Sequence, residues 1–346
     1  MRLTDLVEVL DGVLPPAAGS ERILVGPELS DDAAVVRLPT DDGSEGPRLV
    51  LTTDTIAPLV DEPEAFGAIA AANAMSDVWA MGGRPLWALN LVFFPNDQLP
   101  LSILRRIMLG ARDKCAEANV SIVGGHTVRN GDLKFGLAVT GMIDAGQRRA
   151  LANTRALPGQ VLVLSKALGT GVIGTAIKQQ AASASQIATA TASMSRLNDV
   201  AAALACKHGA TACTDVTGFG LLGHLRNILR GSRLRAQIDL HRLPVLPGAL
   251  ELLAAGHYPG GSKANLEHVE SSLLRRYSSN DVDASARTRL AADAQTSGGL
   301  LVSLRVEEAE RMLEELRGTG HQAAIIGELL PAKPAQIGQV ELRSGR

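Results

Sequence analysis

Between residues 33 and 143, short apolar runs of strand length alternate with two longer stretches of helical period, and this leaves few architectures open. The strand-like runs fall at 33–38, 49–53, 87–94, 120–123 and 134–143, and the helical stretches at 63–81 and 102–118. Such an alternation predicts helices layered on a sheet rather than a bundle or a sandwich. Leu3, Leu6, Val7, Leu10 and Leu14 add a helix-spaced stretch ahead of it. After a turn at 150–160 marked by Pro158-Gly159, the mixture repeats. A strand at 161–165 is followed by an Ala/Ser/Thr-rich stretch, 175–205, that reads as one or two amphipathic helices. Then come a strand at 210–214 and a helix at 220–229, and a polar stretch at 277–289 that reads as a loop. A strand at 300–304, a helix at 307–316 and a terminal strand pair finish the chain. The expected fold class is α+β (mixed α/β) in two domains, 1–155 and 156–346, which suits 346 residues at roughly 150 per domain.

Charge and composition exclude several functions. With 34 basic and 36 acidic residues the formal charge is −2, and the first lysine is Lys114. A nucleic-acid binder normally carries a basic excess and aromatic stacking platforms, and only 3% of this chain is aromatic. Cys115, Cys206 and Cys213 have neither zinc-site spacing nor the even count of a disulfide framework. Asp5, Glu8 and Asp11 interrupt the first residues, so no signal-peptide core is formed there. No run reaches the ~18 apolar residues that suggest a membrane span. The expectation is a soluble cytoplasmic protein with no nucleic-acid or membrane partner.

The candidate chemistry lies in aspartates at element ends. Asp31-Asp32 precedes the run Ala33-Ala34-Val35-Val36, and Asp54 ends the strand-like Leu49–Thr53 run. Asp77 sits inside an Ala/Met-rich helix, on the same face as Asn73. Aspartates often only cap helices or close turns. Asp77 is harder to read that way, because a carboxylate beside Ala74, Val78 and Met81 is costly unless paired or metal-bound. Carboxylates that share a pocket repel by about 4 kcal/mol per pair at 4 Å and an effective dielectric near 20. A polyphosphate in the same pocket adds to that cost unless a hard divalent cation such as Mg²⁺ bridges the two.

Glycine-bearing segments complement the acids. Gly124-Gly125-His126-Thr127 follows the run Ser121-Ile122-Val123 and reads as a turn whose backbone N–H groups suit phosphate. Asp215-Val216-Thr217-Gly218-Phe219-Gly220 leads into the helical run Leu221-Leu222-Gly223-His224, a glycine-rich helix entry that suits an anion. Gln295-Thr296-Ser297-Gly298-Gly299 precedes a strand, and His224 reads as a structural histidine. Neither a P-loop nor a nucleophile-elbow serine is present.

These segments together resemble the selenophosphate synthetase (selenide, water dikinase) family. That family belongs to the superfamily of aminoimidazole ribonucleotide synthetase, thiamine-monophosphate kinase and the hydrogenase-maturation enzymes. Asp31-Asp32-Ala33-Ala34-Val35, Thr52-Thr53-Asp54 and Asn73–Asp77 with Ala80–Gly83 resemble the superfamily broadly. The Gly124–Thr127, Asp215–His224 and Gln295–Leu300 segments resemble the selenophosphate synthetases in particular, and Lys166–Gly171 and Pro259–Gly261 extend the similarity. The resemblance implies a two-domain aminoimidazole ribonucleotide synthetase-like fold and a homodimer formed through N-terminal sheet edges. It implies ATP-dependent synthesis of selenophosphate, a selenium donor for selenocysteine and selenouridine, from selenide and water, with release of AMP and orthophosphate. By the same resemblance Asp32, Asp77 and Asp215 match the Mg²⁺ ligands. Asp31, Asp54, Asp77, Gly125, His126 and Thr127 match the ATP-contacting positions.

One feature of the family has no counterpart. The family carries a reactive Cys or selenocysteine, and a Lys three residues later, on a glycine-rich arm near the N-terminus. Here the first Cys and Lys are Cys115 and Lys114, inside the stretch 102–118, so neither is the arm residue and no catalytic residue is assigned. Arg2 falls near the end of the arm segment, and a guanidinium is not equivalent to that lysine. Two explanations stand: a start displaced downstream of a selenocysteine UGA codon, which is the expectation, or an ATP-binding dimeric paralogue without catalysis.

Overall fold

The structure, a computed structural model, describes residues 20–26, 31–41, 45–144 and 150–345. The expected helix at 3–14, and Arg2, lie outside the described residues. Two sheets organise the rest. The first contains β1 (Ile23–Val25), β2 (Ala34–Arg37), β3 (Arg48–Ile56), β4 (Arg84–Phe94), β5 (Ser121–Arg129) and β6 (Lys134–Ile143), in the order β1-β2-β3-β6-β4-β5. All neighbours are antiparallel except β4 and β5, which are parallel and joined through a helix. The second sheet contains β7 (Val161–Leu164), β8 (Ala212–Asp215), β9 (Leu234–Asp239), β10 (Leu273–Arg276), β11 (Leu300–Leu304), β12 (Ala324–Pro331) and β13 (Val340–Arg343). Its order is β10-β13-β9-β12-β7-β11-β8.

Helix α1 (Pro63–Ala80) connects the two sheets. It packs on β3 and β6, against α2 (Leu101–Glu117), and against α4 (Ala184–Ser195) and β8 of the second half. A helix enclosed on so many sides needs small or apolar residues around its whole circumference, which explains its Ala/Met composition. The polar side chains it does carry, Asn73, Ser76 and Asp77, therefore require partners across that contact. Helix α2 buries only one face, through Ile107, Ala111 and Cys115.

The second half differs in detail from expectation. Its Ala-rich stretch forms three helices: α3 (Thr170–Lys178), α4, and α5 (Asp199–Lys207). Gly220–Ser232 is α6, and α7 (Ala249–Ala254) and α8 (Gly260–Val269) follow. The stretch expected as a loop at 277–289 instead contains α9 (Val282–Ala291). Asp281 caps it, accepting the Ala284 N–H at 2.9 Å. Its few buried positions, Ala284, Thr288, Leu290 and Ala291, are small or polar apart from Leu290, so no apolar stripe marks it in sequence. Helix α10 (Val306–Gly318) completes the set.

Helices α1 and α2 cross at paired glycines. A Cβ on Gly67 would lie 1.9 Å from the Ile107 carbonyl oxygen, and one on Gly110 would lie 1.9 Å from that of Glu64. Gly110→Ala forces the helices apart and is expected to cost about 1–3 kcal/mol. Thermal denaturation should show a Tm several degrees lower; an unchanged Tm would contradict so close a crossing.

Candidate functional site: an aspartate cluster between the sheets

Four elements of different sequence position bring carboxylates together. Asp31 and Asp32 lie just before β2, Asp54 is in β3, Asp77 is in the last turns of α1, and Asp215 ends β8. Thr52 Oγ1 donates to Asp77 Oδ2 at 2.5 Å. Thr52 and Asp54 alternate along β3 on one face, and the Asn73 amide of α1 donates to Asp54. Thr214 Oγ1 donates to Asp32 Oδ1 at 2.7 Å, and the Asn153 N–H donates to Asp31 Oδ1 at 2.6 Å.

Burial pushes every one of these carboxyls upward. For Asp32, the largest cause is burial, followed by the charges of Asp215 and Asp77. For Asp77 burial is followed by Asp215. Asp215 rises to about 6 through burial; the Ser76 hydroxyl opposes the rise, Asp54 adds to it and Lys166 opposes it. Asp31 and Asp54 are raised mainly by burial, with hydrogen bonds from Asn153 and Asn73 working the other way. Thus the five share one electrostatic site, as their mutual charge effects require.

The donor set fits a hard cation. Asp31 Oδ2, Asp32 Oδ2 and Asp215 Oδ2 are buried without a hydrogen-bond donor. Oxygen atoms of Asp32 and Asp215 and a ring nitrogen of His224 fall within 4.8 Å of one another. His224 is not free to ligate. Its Nε2 accepts the Thr217 N–H at 3.2 Å, which assigns the proton to Nδ1, hydrogen-bonded to Thr214 Oγ1 at 3.3 Å. Burial holds its pKa down, at about 4, so it stays neutral. The ring fixes Thr214, whose hydroxyl in turn orients Asp32. What remains open is oxygen only, the chemistry of a divalent hard cation.

Two cavities border the cluster. One of about 640 Å³ lies between the halves, lined by Asp54 and Asn73 from one side and Thr217, Gln295 and Thr296 from the other. The second, about 460 Å³, is lined by Asp31, Asp32, Thr52 and Thr53. The loop at 295–299 reaches α1, where the Ser297 N–H donates to Asn73 Oδ1 at 2.9 Å. Asn198 donates to Ser76 Oγ at 2.9 Å and to the Gly298 carbonyl at 2.8 Å.

One glycine segment behaves differently from expectation. Gly124–Thr127 is not a turn but the middle of β5, a fully extended strand at the sheet edge. A Cβ on Gly125 would lie 2.4 Å from the Asn90 carbonyl oxygen, so close strand packing accounts for that glycine. Asp54, Leu137, Asn90 and Gly125 lie in register across four strands. Gly125 is therefore about 14 Å from Asp54, three strand spacings. The structure brings Asp31, Asp32, Asp54, Asp77 and Asp215 together and leaves Gly125, His126 and Thr127 apart from them within one chain. Sequence reasoning missed Thr52, Ser76, Asn198 and Thr214 as supports. Thr52 and Thr214 were detectable, one sharing the strand face of Asp54 and the other adjoining Asp215.

A cluster with raised carboxyl pKa values binds more protons folded than unfolded. Its cation-free stability therefore falls as pH rises from the unfolded carboxylate range toward the folded values, near 6 for Asp215. Melting curves without divalent cation are expected to show a higher Tm at pH 5 than at pH 7 once other groups are matched by Asp77→Asn, with Mg²⁺ removing the difference. A wild-type pH dependence identical to that of Asp77→Asn would contradict the coupling.

The chain is similar to proteins of one family. Residues 30–143 match the family model of AIR synthase related protein, N-terminal domain, and residues 158–337 that of the C-terminal domain. The selenide, water dikinase of Myxococcus xanthus (strain DK1622) is 43% identical over 336 residues, 96% of this chain and 92% of that protein. That of Geobacter metallireducens is 44% identical over 330 residues, 95% and 92%. Among solved structures, thiamine-monophosphate kinase from Stenotrophomonas maltophilia K279a has a TM-score of 0.65 at 20% identity, covering 99% of this chain and 96% of that one. Hydrogenase maturation protein HypE in complex with ATP has a TM-score of 0.63 at 20% identity, covering 98% and 91%. At that identity the two solved structures speak for the fold alone, the AIR synthase-like arrangement of two α/β halves. The chain belongs to the selenide, water dikinase family, within the AIR synthase related proteins.

Proposed function

We propose that this chain catalyses ATP-dependent formation of selenophosphate from selenide and water, with release of AMP and orthophosphate. The observation that carries the reading is the convergence of Asp32, Asp77 and Asp215 on one oxygen-only site, in a chain of this family. These three would hold Mg²⁺, which when bound neutralises the polyphosphate and bridges it to the protein. The chain's own groups prepare that site. Thr52 turns Asp77 inward, the His224–Thr214 pair turns Asp32, and Ser76 hydrogen-bonds Asp215. Asp31 and Asp54 flank the cluster on the two cavity sides. In the proposed arrangement the nucleotide lies along the Asp31 and Asp32 side, and the cavity between the halves admits the acceptor. Phosphoryl transfer asks the protein mainly for position and charge. The proposed domain division, 1–155 and 156–346, follows the two sheets.

The proposed assembly is a homodimer. Among the described residues no helix covers one face of the first sheet, which exposes Leu51, Trp87, Leu89 and Val123, at 39%, 49%, 43% and 61%. Together with the edge strand β5 this makes an apolar surface of the kind a partner covers. A second copy docked there would bring its Gly125, His126 and Thr127 toward the nucleotide, the contact that a single chain leaves 14 Å away by the strand count (~14 Å). Trp87→Glu is expected to shift the protein to monomer by light scattering; a retained dimer would contradict this interface. No helix among the described residues is long and apolar enough to cross a membrane, and Cys115, Cys206 and Cys213 form no disulfide, which suits a reducing cytoplasm.

A second reading, an ATP-binding dimer without turnover, is favoured by one observation. Cys115 is buried in α2 with its thiol pushed up to about 11 by burial, and Lys114 pairs with Glu117 at 2.6 Å. Neither supplies a reactive thiolate or a free ammonium at the cluster. Incubation with ATP and selenide, followed by ³¹P NMR, separates the readings. The chain is expected to bind MgATP and to form selenophosphate with release of AMP. Nucleotide binding with no AMP or selenophosphate would establish the second reading. Asp77→Asn is expected to weaken Mg²⁺-dependent ATP binding by about tenfold or more, ~1.4 kcal/mol. Unchanged affinity and metal dependence would overturn the assignment of Asp77.

A further inference from the structure

The aspartate cluster has a counterpart of opposite sign on the second half. A cavity of about 250 Å³ opens between α4, the residue pair after β7, and the turn between α10 and β12. Lys166 and His321 are buried in its wall, at 3% and 7% exposure, and Arg196, Gly320 and Gln322 are exposed at its mouth. Ser165 and Thr189 add hydroxyls, and no carboxylate lines it. Three basic side chains thus converge with no acid among them.

The hydrogen bonds leave donors unused. Lys166 Nζ donates to the carbonyls of Arg196 at 2.7 Å and Ser297 at 2.9 Å, which accounts for two of its three N–H groups. Arg196 Nη1 lies 3.3 Å from the Thr319 carbonyl and 3.5 Å from His321 Nδ1. Thr319 spends its hydroxyl proton on the Leu316 carbonyl at 2.8 Å, so His321 Nδ1–H donates to Thr319 Oγ1 at 2.9 Å and Nε2 carries a lone pair. That Nε2 lone pair is buried with no hydrogen-bond donor. Burial lowers Lys166 to about 7, and burial together with Arg196 and Lys166 lowers His321. The carboxylates that act on Lys166, Asp215 and Asp199, lie outside the lining. Cations held this close without an acid are stabilised by an anion, by the same reasoning that assigns a cation to clustered carboxylates.

We propose that this cavity binds a small tetrahedral oxyanion of the orthophosphate class, its oxygens accepting from Lys166 and Arg196 and its P–OH donating to His321 Nε2. The volume falls below the roughly 300 Å³ at which pockets for larger organic ligands begin, so a whole nucleotide does not fit. The site is separate from the aspartate cluster and stands whether or not the proposed reaction does. Lys166 links the two electrostatically, since its ammonium acts on Asp215.

The test is calorimetric titration of inorganic phosphate into protein free of nucleotide and divalent cation. Wild type is expected to bind one phosphate per chain, with sulfate competing and AMP not. Arg196→Gln, at the exposed mouth, is expected to weaken phosphate binding about tenfold or more while Tm and MgATP affinity stay unchanged. Arg196→Lys should retain part of the affinity. Wild type that binds no phosphate, binding that Arg196→Gln leaves intact, or displacement of phosphate by AMP would each overturn the proposal.

Discussion

Repulsion among buried aspartates is the constraint on which the arrangement of the two halves depends. Asp32 stands before β2, Asp77 on α1 and Asp215 at the end of β8, and each is pushed upward by burial and by its neighbours' charge. A core free to optimise stability alone would not gather them. The surrounding structure holds them in place through α1, which both sheets share as a wall. Its Asn73 and Ser76 are tied to Ser297 and Asn198 of the second half. Lys166 in turn holds the carbonyls of Ser297 and Arg196, on the two loops that grip α1. One continuous polar seam therefore positions the carboxylates and keeps a lone buried ammonium near them.

Much of this was legible in the sequence. The strand runs at 134–143 and 300–304 coincide with β6 and β11, and both helices of the first half fall within a residue of their expected ends. These elements have strong periodicity or clear breakers. Asp77 stood out because a carboxylate among Ala and Met needs a reason, and α1 is indeed enclosed. Apart from β9, whose alternating residues were also passed over, the elements missed include several whose signal is tertiary. Helix α9 buries mostly small or polar residues, β10 has exposed residues at three of its four positions, and α7 and α8 are short.

The Gly124-Gly125 pair was misread for one physical reason. A double glycine suggests a turn or a phosphate cradle when seen alone, yet Gly125, like Gly298 and Gly299, serves backbone approach. A Cβ on Gly298 would lie 2.0 Å from the Val216 carbonyl oxygen, and one on Gly299 would lie 2.4 Å from the Lys166 nitrogen. Those contacts join residues that sequence separates by about 80 and 130 positions, and periodicity carries no trace of them. The supports Thr214 and His224 were obscured similarly, since only the packing of α6 on β8 makes them neighbours.

The central claim is that carboxylates from both halves bind one divalent cation together with the triphosphate. Electron paramagnetic resonance of Mn²⁺ titrated in the presence of a non-hydrolysable ATP analogue measures this directly. Wild type should take up one Mn²⁺ per chain with the nucleotide, and Asp215→Asn, altered only on the second half, should lose that uptake while remaining folded. Equal Mn²⁺ uptake by Asp215→Asn would mean that the first half binds the metal alone, and would contradict the account.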